Sequence, residues 1–176
     1  MVKFRFWQAG ADYFKTRKNL WVKFIVPFIA SAIYAIVILV CEVKQGVVIA
    51  DFFSAFVNVQ IGAIAILISF SIAIMTILVT ADNKNIDRIK ERLSSECKPL
   101  NGSPMSLFQV LLSNITYTVL IEVAYLVILV SLIFVQLFVS DCILKILMGW
   151  SIFFIIHILH ILLESVGKMY LTFWKN

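Results

Sequence analysis

The chain has 176 residues, of which 62% are hydrophobic and only 14% are charged, and its mean hydropathy is +1.01. A water-soluble domain averages roughly half apolar and a quarter charged residues, so this composition excludes an ordinary soluble enzyme or binding domain. The net charge of +5 is not gathered in a recognisable nucleic-acid-binding motif, and we expect no direct nucleic-acid partner.

Four apolar blocks are each longer than the roughly 20 residues that a helix needs to cross a bilayer. They predict an all-α integral membrane protein with four transmembrane helices. The predicted spans are residues 21–41, 52–81, 105–139 and 146–166, which together form a domain over 21–166 between an N-terminal segment, 1–20, and a tail, 167–176. No small-residue cleavage pattern follows the first block, so we interpret it as a retained span and not as a signal peptide.

Basic residues are unevenly distributed between the loops. Thirteen Lys and Arg residues fall in the stretch from the N-terminus through Lys23, the loop 82–104 and the tail, whereas the other two loops hold only Lys44 and Lys145. Cytoplasmic loops carry the excess of Lys and Arg, which predicts that both termini and the loop 82–104 are cytoplasmic. Because the outward loops are short, we expect protein partners on the cytoplasmic side.

The N-terminal segment combines aromatic and basic side chains at helical spacing. A helix of this kind lies on the membrane surface and attracts anionic lipid. The predicted anchor consists of Trp7, Phe14, Lys15, Arg17 and Lys18.

The second span carries small residues on one helical face. The residues are Gly62, Ala65, Ser69 and Ala73. Small side chains let helix backbones approach closely in lipid. This face is predicted to pack against another helix of the same chain or against a second subunit, and a homo-oligomer is expected.

The second and third apolar blocks point to helices that run on beyond the membrane. After Ala81 the sequence DNKNIDRIKERL keeps apolar residues at helical spacing among charges, and the third block, at about 35 residues, is far longer than one bilayer. The two helices are predicted to project into the cytoplasm as a hairpin that turns at SECKPLNGSP. Its predicted docking residues are Ile86, Arg88, Ile89, Lys90, Arg92 and Leu93, unless this stretch is simply a solvated helix end.

Residues 114–130, NITYTVLIEVAYLVILV, place Glu122 within an apolar block. A carboxylate in lipid is costly and marks a candidate functional site. Counting residues from the outer end of each span places Glu122 at the same depth in the membrane as polar residues of the fourth span. Other polar residues near this depth are Ser69, Ser71, Asn114 and Lys23. The predicted cluster, in which Glu122 faces the fourth span near His160, contains Thr118, Glu122, Tyr125, His157, His160 and Glu164.

Three roles are open for this cluster. It is a structural lock between helices, a proton- or ion-sensitive switch, or a metal site. No second span carries a histidine and the spacing is not HExxH, so we predict no metal and no cofactor. The sequence also lacks GxSxG, P-loop, CxxC and dinucleotide-turn motifs, and we predict neither catalytic residues nor an enzyme.

The short outward loops and the basic inner face favour an oligomeric membrane sensor or anchor subunit that engages a cytoplasmic protein. The alternative is a small oligomeric ion channel or membrane-permeabilising effector. In its spans, cytoplasmic termini and basic inner face the chain resembles the small four-span membrane components of bacterial anti-phage defence systems such as Kiwa. The resemblance implies a cytoplasmic partner that performs the effector chemistry, and it identifies no functional residue.

Overall fold

The computed structural model describes residues 6–41, 46–81, 84–94, 97–99 and 102–174, with the backbone alone at 6–9 and 171–174. Within these ranges the chain is helical and holds no strand beyond two isolated bridges. The helices are α1 (Phe6–Thr16), α2 (Leu20–Val40), α3 (Ile49–Thr80), α4 (Lys84–Glu91), α5 (Leu107–Val135) and α6 (Asp141–Trp174).

Four of these helices are long and apolar enough to cross a membrane: α2, α3, α5 and α6 as far as Tyr170. Their outer surface carries large exposed apolar side chains, including Trp21, Phe28, Val59 and Ile66. Such a surface is a liability in water but is what acyl chains require. The prediction of four long apolar helices is therefore confirmed, and they indicate an integral membrane protein.

The long helices differ in length. The 21 residues of α2 extend about 31 Å, close to the thickness of a hydrocarbon core, whereas the 32, 29 and 34 residues of α3, α5 and α6 extend about 43 to 51 Å. The predicted span 105–139 is thus longer than the observed α5, and the predicted span 146–166 is much shorter than α6. The helices α3, α5 and α6 are therefore longer than the hydrocarbon core of a bilayer is thick.

The core lies between α3, α5 and α6. It is formed by Phe53, Val57, Ile64, Tyr125, Leu129, Leu132, Leu144, Met148 and Ile158. The α5 and α6 helices run antiparallel, since Tyr117 meets His157 and the later Tyr125 meets the earlier Ser151. The α2 and α6 helices are also antiparallel, since Lys23 pairs with Glu164 and Ser31 donates to Gly149 O. The α2 helix packs on the outside of this core, chiefly against α6.

The two ends of the bundle are built differently. At one end of the bundle α2 and α5 begin, α3 and α6 end, and α1 and α4 are located; we call this the basic end. Among the described residues, the opposite end holds only the links between α2 and α3 and between α5 and α6. At the basic end, α1 lies along α5, with the rings of Tyr13 and Tyr117 stacked at 3.9 Å between centroids.

The structure around α4 differs from the predicted hairpin. The α3 helix ends at Thr80, where Ala81 is extended (φ −69°, ψ 123°), and α4 is a separate helix packed on α5. Its apolar side chains Ile86 (3% exposed) and Ile89 (0%) are buried against Leu78, Leu111 and Ile115. Helical spacing correctly indicated an apolar face, but that face has its partner within the chain.

The segment after α4 folds back onto the start of α5. Leu107 N donates to Arg92 O (2.7 Å) and Ser94 N donates to Met105 O (2.9 Å), which holds this segment close to the bundle. The first turn of α5 is closed by a capping box between Ser106 and Gln109, which satisfies backbone donors that the helix itself cannot. Met105 is buried with Cys97 and Val110.

We predict that Ile89→Ala loosens α4 from α5. The substitution removes buried methyl groups and leaves a cavity, which costs about 2 to 5 kcal/mol. Limited trypsin digestion of the detergent-purified protein should then cleave α4 at Arg88 or Lys90 faster than in the wild type. Leu93→Ala is the matched control, because Leu93 is 61% exposed. Equal digestion of both variants would contradict the packing of α4.

Candidate functional site

A row of buried polar side chains runs along one face of α5. Asn114, Thr118 and Glu122 follow one another at four-residue steps and Tyr125 continues the row, so all four lie on the same helical face. In an apolar bundle each such group needs a partner within the protein. Their partners lie on different segments.

Glu122 is fully buried (0% exposed) and its Oε1 accepts a hydrogen bond from Ser71 Oγ on α3 at 3.0 Å. Its second oxygen, Oε2, is buried without a hydrogen-bond partner. The hydrogen-bond partner of the carboxyl group is therefore Ser71 on α3, whereas the sequence indicated polar residues of the fourth span, near His160. The periodicity of α5 fixed the face of Glu122 but not which neighbour covers that face.

His157 is held by a carbonyl that a proline leaves free. Pro27 has no backbone N–H, so the carbonyl of Lys23, four residues earlier in α2, lacks its usual helical donor. His157 Nδ1 on α6 lies 3.3 Å from this oxygen. The histidine ring is stacked on Phe24, with 4.6 Å between centroids. A kink-prone position in α2 thereby becomes an attachment point for α6.

The other ring nitrogen of His157 faces α5. Nε2 lies 3.2 Å from the hydroxyl of Tyr117. A neutral imidazole satisfies both contacts if Nδ1–H donates to the Lys23 carbonyl and Nε2 accepts from Tyr117. His157 therefore joins α2, α5 and α6, an arrangement typical of a structural lock.

Tyr125 forms a third contact site nearer the opposite end. Its hydroxyl lies within hydrogen-bonding distance of Gln60 Oε1 on α3 and 3.0 Å from the backbone carbonyl of Ser151 on α6. The ring of Phe154 is stacked on Tyr125 at 5.0 Å. Tyr125 thus links three helices within the apolar core.

Glu164 belongs to the basic end and not to the site of Glu122. Its carboxylate pairs with Lys23 on α2 and with Lys168 one turn later on α6, at 2.7 Å for the second pair. Thr118 donates to the carbonyl of Asn114 in its own helix. His160 is half-buried, and no hydrogen bond joins it to another described residue. The single predicted cluster is therefore divided among four sites, those of Glu122, His157, Tyr125 and Glu164.

Arg17 is not part of the surface anchor that the sequence predicts, because its side chain is buried. It is only 5% exposed; its guanidinium donates to Asn114 Oδ1, to Val110 O (3.2 Å) and to Cys97 Sγ (3.1 Å). It also lies over the ring of Tyr13, where burial raises the pKa of the phenol to about 12. Arg17 fastens the α1–α2 link to α5 and does not face lipid.

The other predicted anchor residues have different positions. Phe14, Lys15 and Lys18 are exposed, as an interfacial anchor requires. Phe14 also contacts Tyr117 edge-on at 5.4 Å. The side chain of Trp7 lies outside the described part of the structure.

The predicted small-residue face of α3 is not used within the chain. Gly62, Ala65, Ser69 and Ala73 are all exposed. The close approach of small residues occurs instead between α2 and α6, where a Cβ on Gly149 would come within 2.8 Å of Ala35 Cβ. The prediction that this face packs against another helix of the same chain is therefore wrong. Packing against a second subunit stays a prediction.

The predicted docking residues are partly buried and partly exposed. Ile86 and Ile89 are buried and are not available to a partner, which corrects their assignment. Arg88 and Lys90 of α4, and Arg92 and Leu93 just after it, are exposed. Asp87 and Lys90 form an ion pair at 3.7 Å.

Sequence reasoning missed several residues of these sites: Gln60, Tyr117, Ser151 and the part played by Pro27. The offset of four residues between a proline and the carbonyl that it leaves free could have indicated Lys23 as an acceptor. Within the described residues no group of three or more His, Cys, Asp and Glu side chains could hold a metal ion. No family model, curated protein or solved structure matches the chain.

We predict that Ser71 and Glu122 are energetically coupled. Ser71→Ala removes the hydrogen bond to the carboxyl group and should destabilise the bundle by about 1 kcal/mol, but should cost much less when Glu122 is already Leu. Reversible unfolding in detergent measures this double-mutant cycle. Ser69→Ala is the matched control, since Ser69 is exposed and bonds only to the carbonyl of Ala65 in its own helix. Additive effects of the two substitutions would refute the pairing.

Proposed function

We propose that this protein is a homo-oligomeric membrane sensor or anchor subunit whose output passes through its basic end to a cytoplasmic protein. The observation that carries the proposal is the asymmetry of the bundle. At the basic end, α1, α4 and the segment before α5 are packed on the membrane helices, whereas the opposite end carries only short links. A protein that acted only within the bilayer would not need this folded layer.

The proposed orientation places the basic end in the cytoplasm of a bacterial cell, with the chain in the inner membrane. The excess of Lys and Arg on this side supports it. Exposed Phe14, Lys15 and Lys18 on the same side would contact the headgroup region, where basic residues attract anionic lipid.

The proposed partner surface is the outward side of α4. Buried Ile86 and Ile89 fix this helix to the bundle, so Arg88, Lys90 and Arg92 are presented from a stable support. Positive charge at an exposed surface favours an acidic partner surface. A change in the bundle would reach this surface directly through the contacts of α4 with α5.

The proposed oligomer contact is the exposed face of α3. Besides the four small residues, this helix exposes the side chain of Asn58. A polar amide facing acyl chains is unfavourable, and a second copy would supply both close packing and a hydrogen-bond partner. The resemblance to small four-span subunits of anti-phage defence systems suggests defence as the process, with the partner performing the effector chemistry.

A small oligomeric channel is the second candidate. The exposed face of α3 that carries Asn58 also carries Ser69 and Thr76, whose hydroxyls bond to their own helix. In an oligomer this row of polar side chains could line a pore between subunits or form the contact between them. Conductance of the purified protein in planar bilayers distinguishes the two candidates.

We predict that Arg88→Glu, Lys90→Glu and Arg92→Glu together abolish binding of the cytoplasmic partner while the protein still inserts and folds. The partner would be identified by native purification in detergent, and the interaction would be repeated with both purified proteins. Lys145→Glu, at the opposite end, is the control and should bind as the wild type does.

Reporter fusions accompany this experiment, because the same charges also orient the protein. A reporter after Asn176 should score cytoplasmic and one within residues 45–50 external, in the wild type and in the triple variant. If the purified wild type conducts ions and the triple variant keeps its cellular activity, the sensor function is contradicted and the channel function is favoured.

A further inference from the structure

A cavity of about 580 Å³ opens at the basic end, between the α1–α2 link, the start of α2 and the end of α6. Its walls are Arg17, Lys18, Asn19, Val22, Lys23, Glu164 and Lys168. Ligand sites in proteins commonly have volumes of roughly 300 to 1,000 Å³, so this one is large enough for a small charged molecule or a headgroup.

The charges around this cavity are unbalanced. Four of its side chains are basic and one, Glu164, is acidic. The carboxylate of Glu164 is shared by Lys23 and Lys168, so two cations meet one anion. The arrangement concentrates positive charge where three segments of the chain converge.

Arg17 brings a fixed positive charge to the wall of this cavity. The residue is only 5% exposed, and its two terminal nitrogens donate to Cys97 and to Val110 and Asn114 of α5. These contacts hold the guanidinium in one position, so its charge is preorganised at the edge of the cavity.

We propose that this cavity binds a phosphate-bearing anion. Arg and Lys together are the side chains that recognise phosphate, and basic pockets between membrane helices bind anionic lipid headgroups. The apolar side chain of Val22 in the cavity wall suits a ligand with an apolar part. The site requires neither a cytoplasmic partner nor an oligomer, although it shares Lys18 with the membrane-surface contact proposed above.

The first arm of the test uses lipid. The full chain is reconstituted in nanodiscs of mixed phosphatidylcholine and phosphatidylglycerol, released, and examined by native mass spectrometry. The wild type should retain phosphatidylglycerol in preference to phosphatidylcholine. Lys18→Gln and Lys168→Gln should each lower that retention about fivefold, the effect of one basic residue near a membrane surface. Lys145→Gln, at the opposite end, should leave it unchanged.

The second arm uses soluble anions. In nanodiscs of phosphatidylcholine alone, inorganic phosphate and pyrophosphate are added at constant ionic strength and the thermal stability is measured. Stabilisation of the wild type that is lost in Lys18→Gln and Lys168→Gln assigns the site to a soluble phosphate, while retention of phosphatidylglycerol in the first arm assigns it to lipid. Lys18→Gln guards against misfolding, because Lys18 is exposed. If neither anion source distinguishes the two variants from Lys145→Gln, the proposal is overturned.

Discussion

The structure depends on one constraint: polar side chains buried among apolar helices must find partners within the protein. The α5 helix takes part in several of the resulting contacts. Asn114 accepts from Arg17, Tyr117 meets His157 on α6, and Glu122 accepts from Ser71 on α3. Because each contact joins α5 to a different segment, the same helix fixes the position of the α1–α2 link, α3 and α6.

Sequence reasoning predicted the parts of this fold that depend on length and composition. The four spans follow from apolar blocks long enough to cross a bilayer, and the helical conformation of α4 follows from its spacing, although this stretch is predicted as a continuation of the second span and forms a separate helix. What covers a given face could not be predicted, because periodicity is a property of one helix and neighbours depend on the packing of several. Glu122 was therefore placed on the correct side of α5 but assigned the wrong partner, and Ile86 and Ile89 were assigned to a docking surface although α5 covers them.

The same limit explains the arrangement of charge at the basic end. Arg17 was interpreted as one of several surface cations, yet it is buried against α5, while Lys23 and Lys168 share the carboxylate of Glu164. Counting charges correctly identified this end as basic but could not separate fastening residues from those that line a cavity. We propose that buried Arg17 holds the folded layer in place and that the exposed basic residues of α4 belong to the partner surface.

The most direct test of the central role of α5 is thiol cross-linking in membranes of a chain without its native cysteines. Ser71→Cys with Glu122→Cys should be joined rapidly by a short bifunctional thiol reagent, because the side chains are in contact across α3 and α5. Glu122→Cys with His160→Cys should react slowly. Faster joining of the second pair would contradict the account, because Glu122 would then face α6.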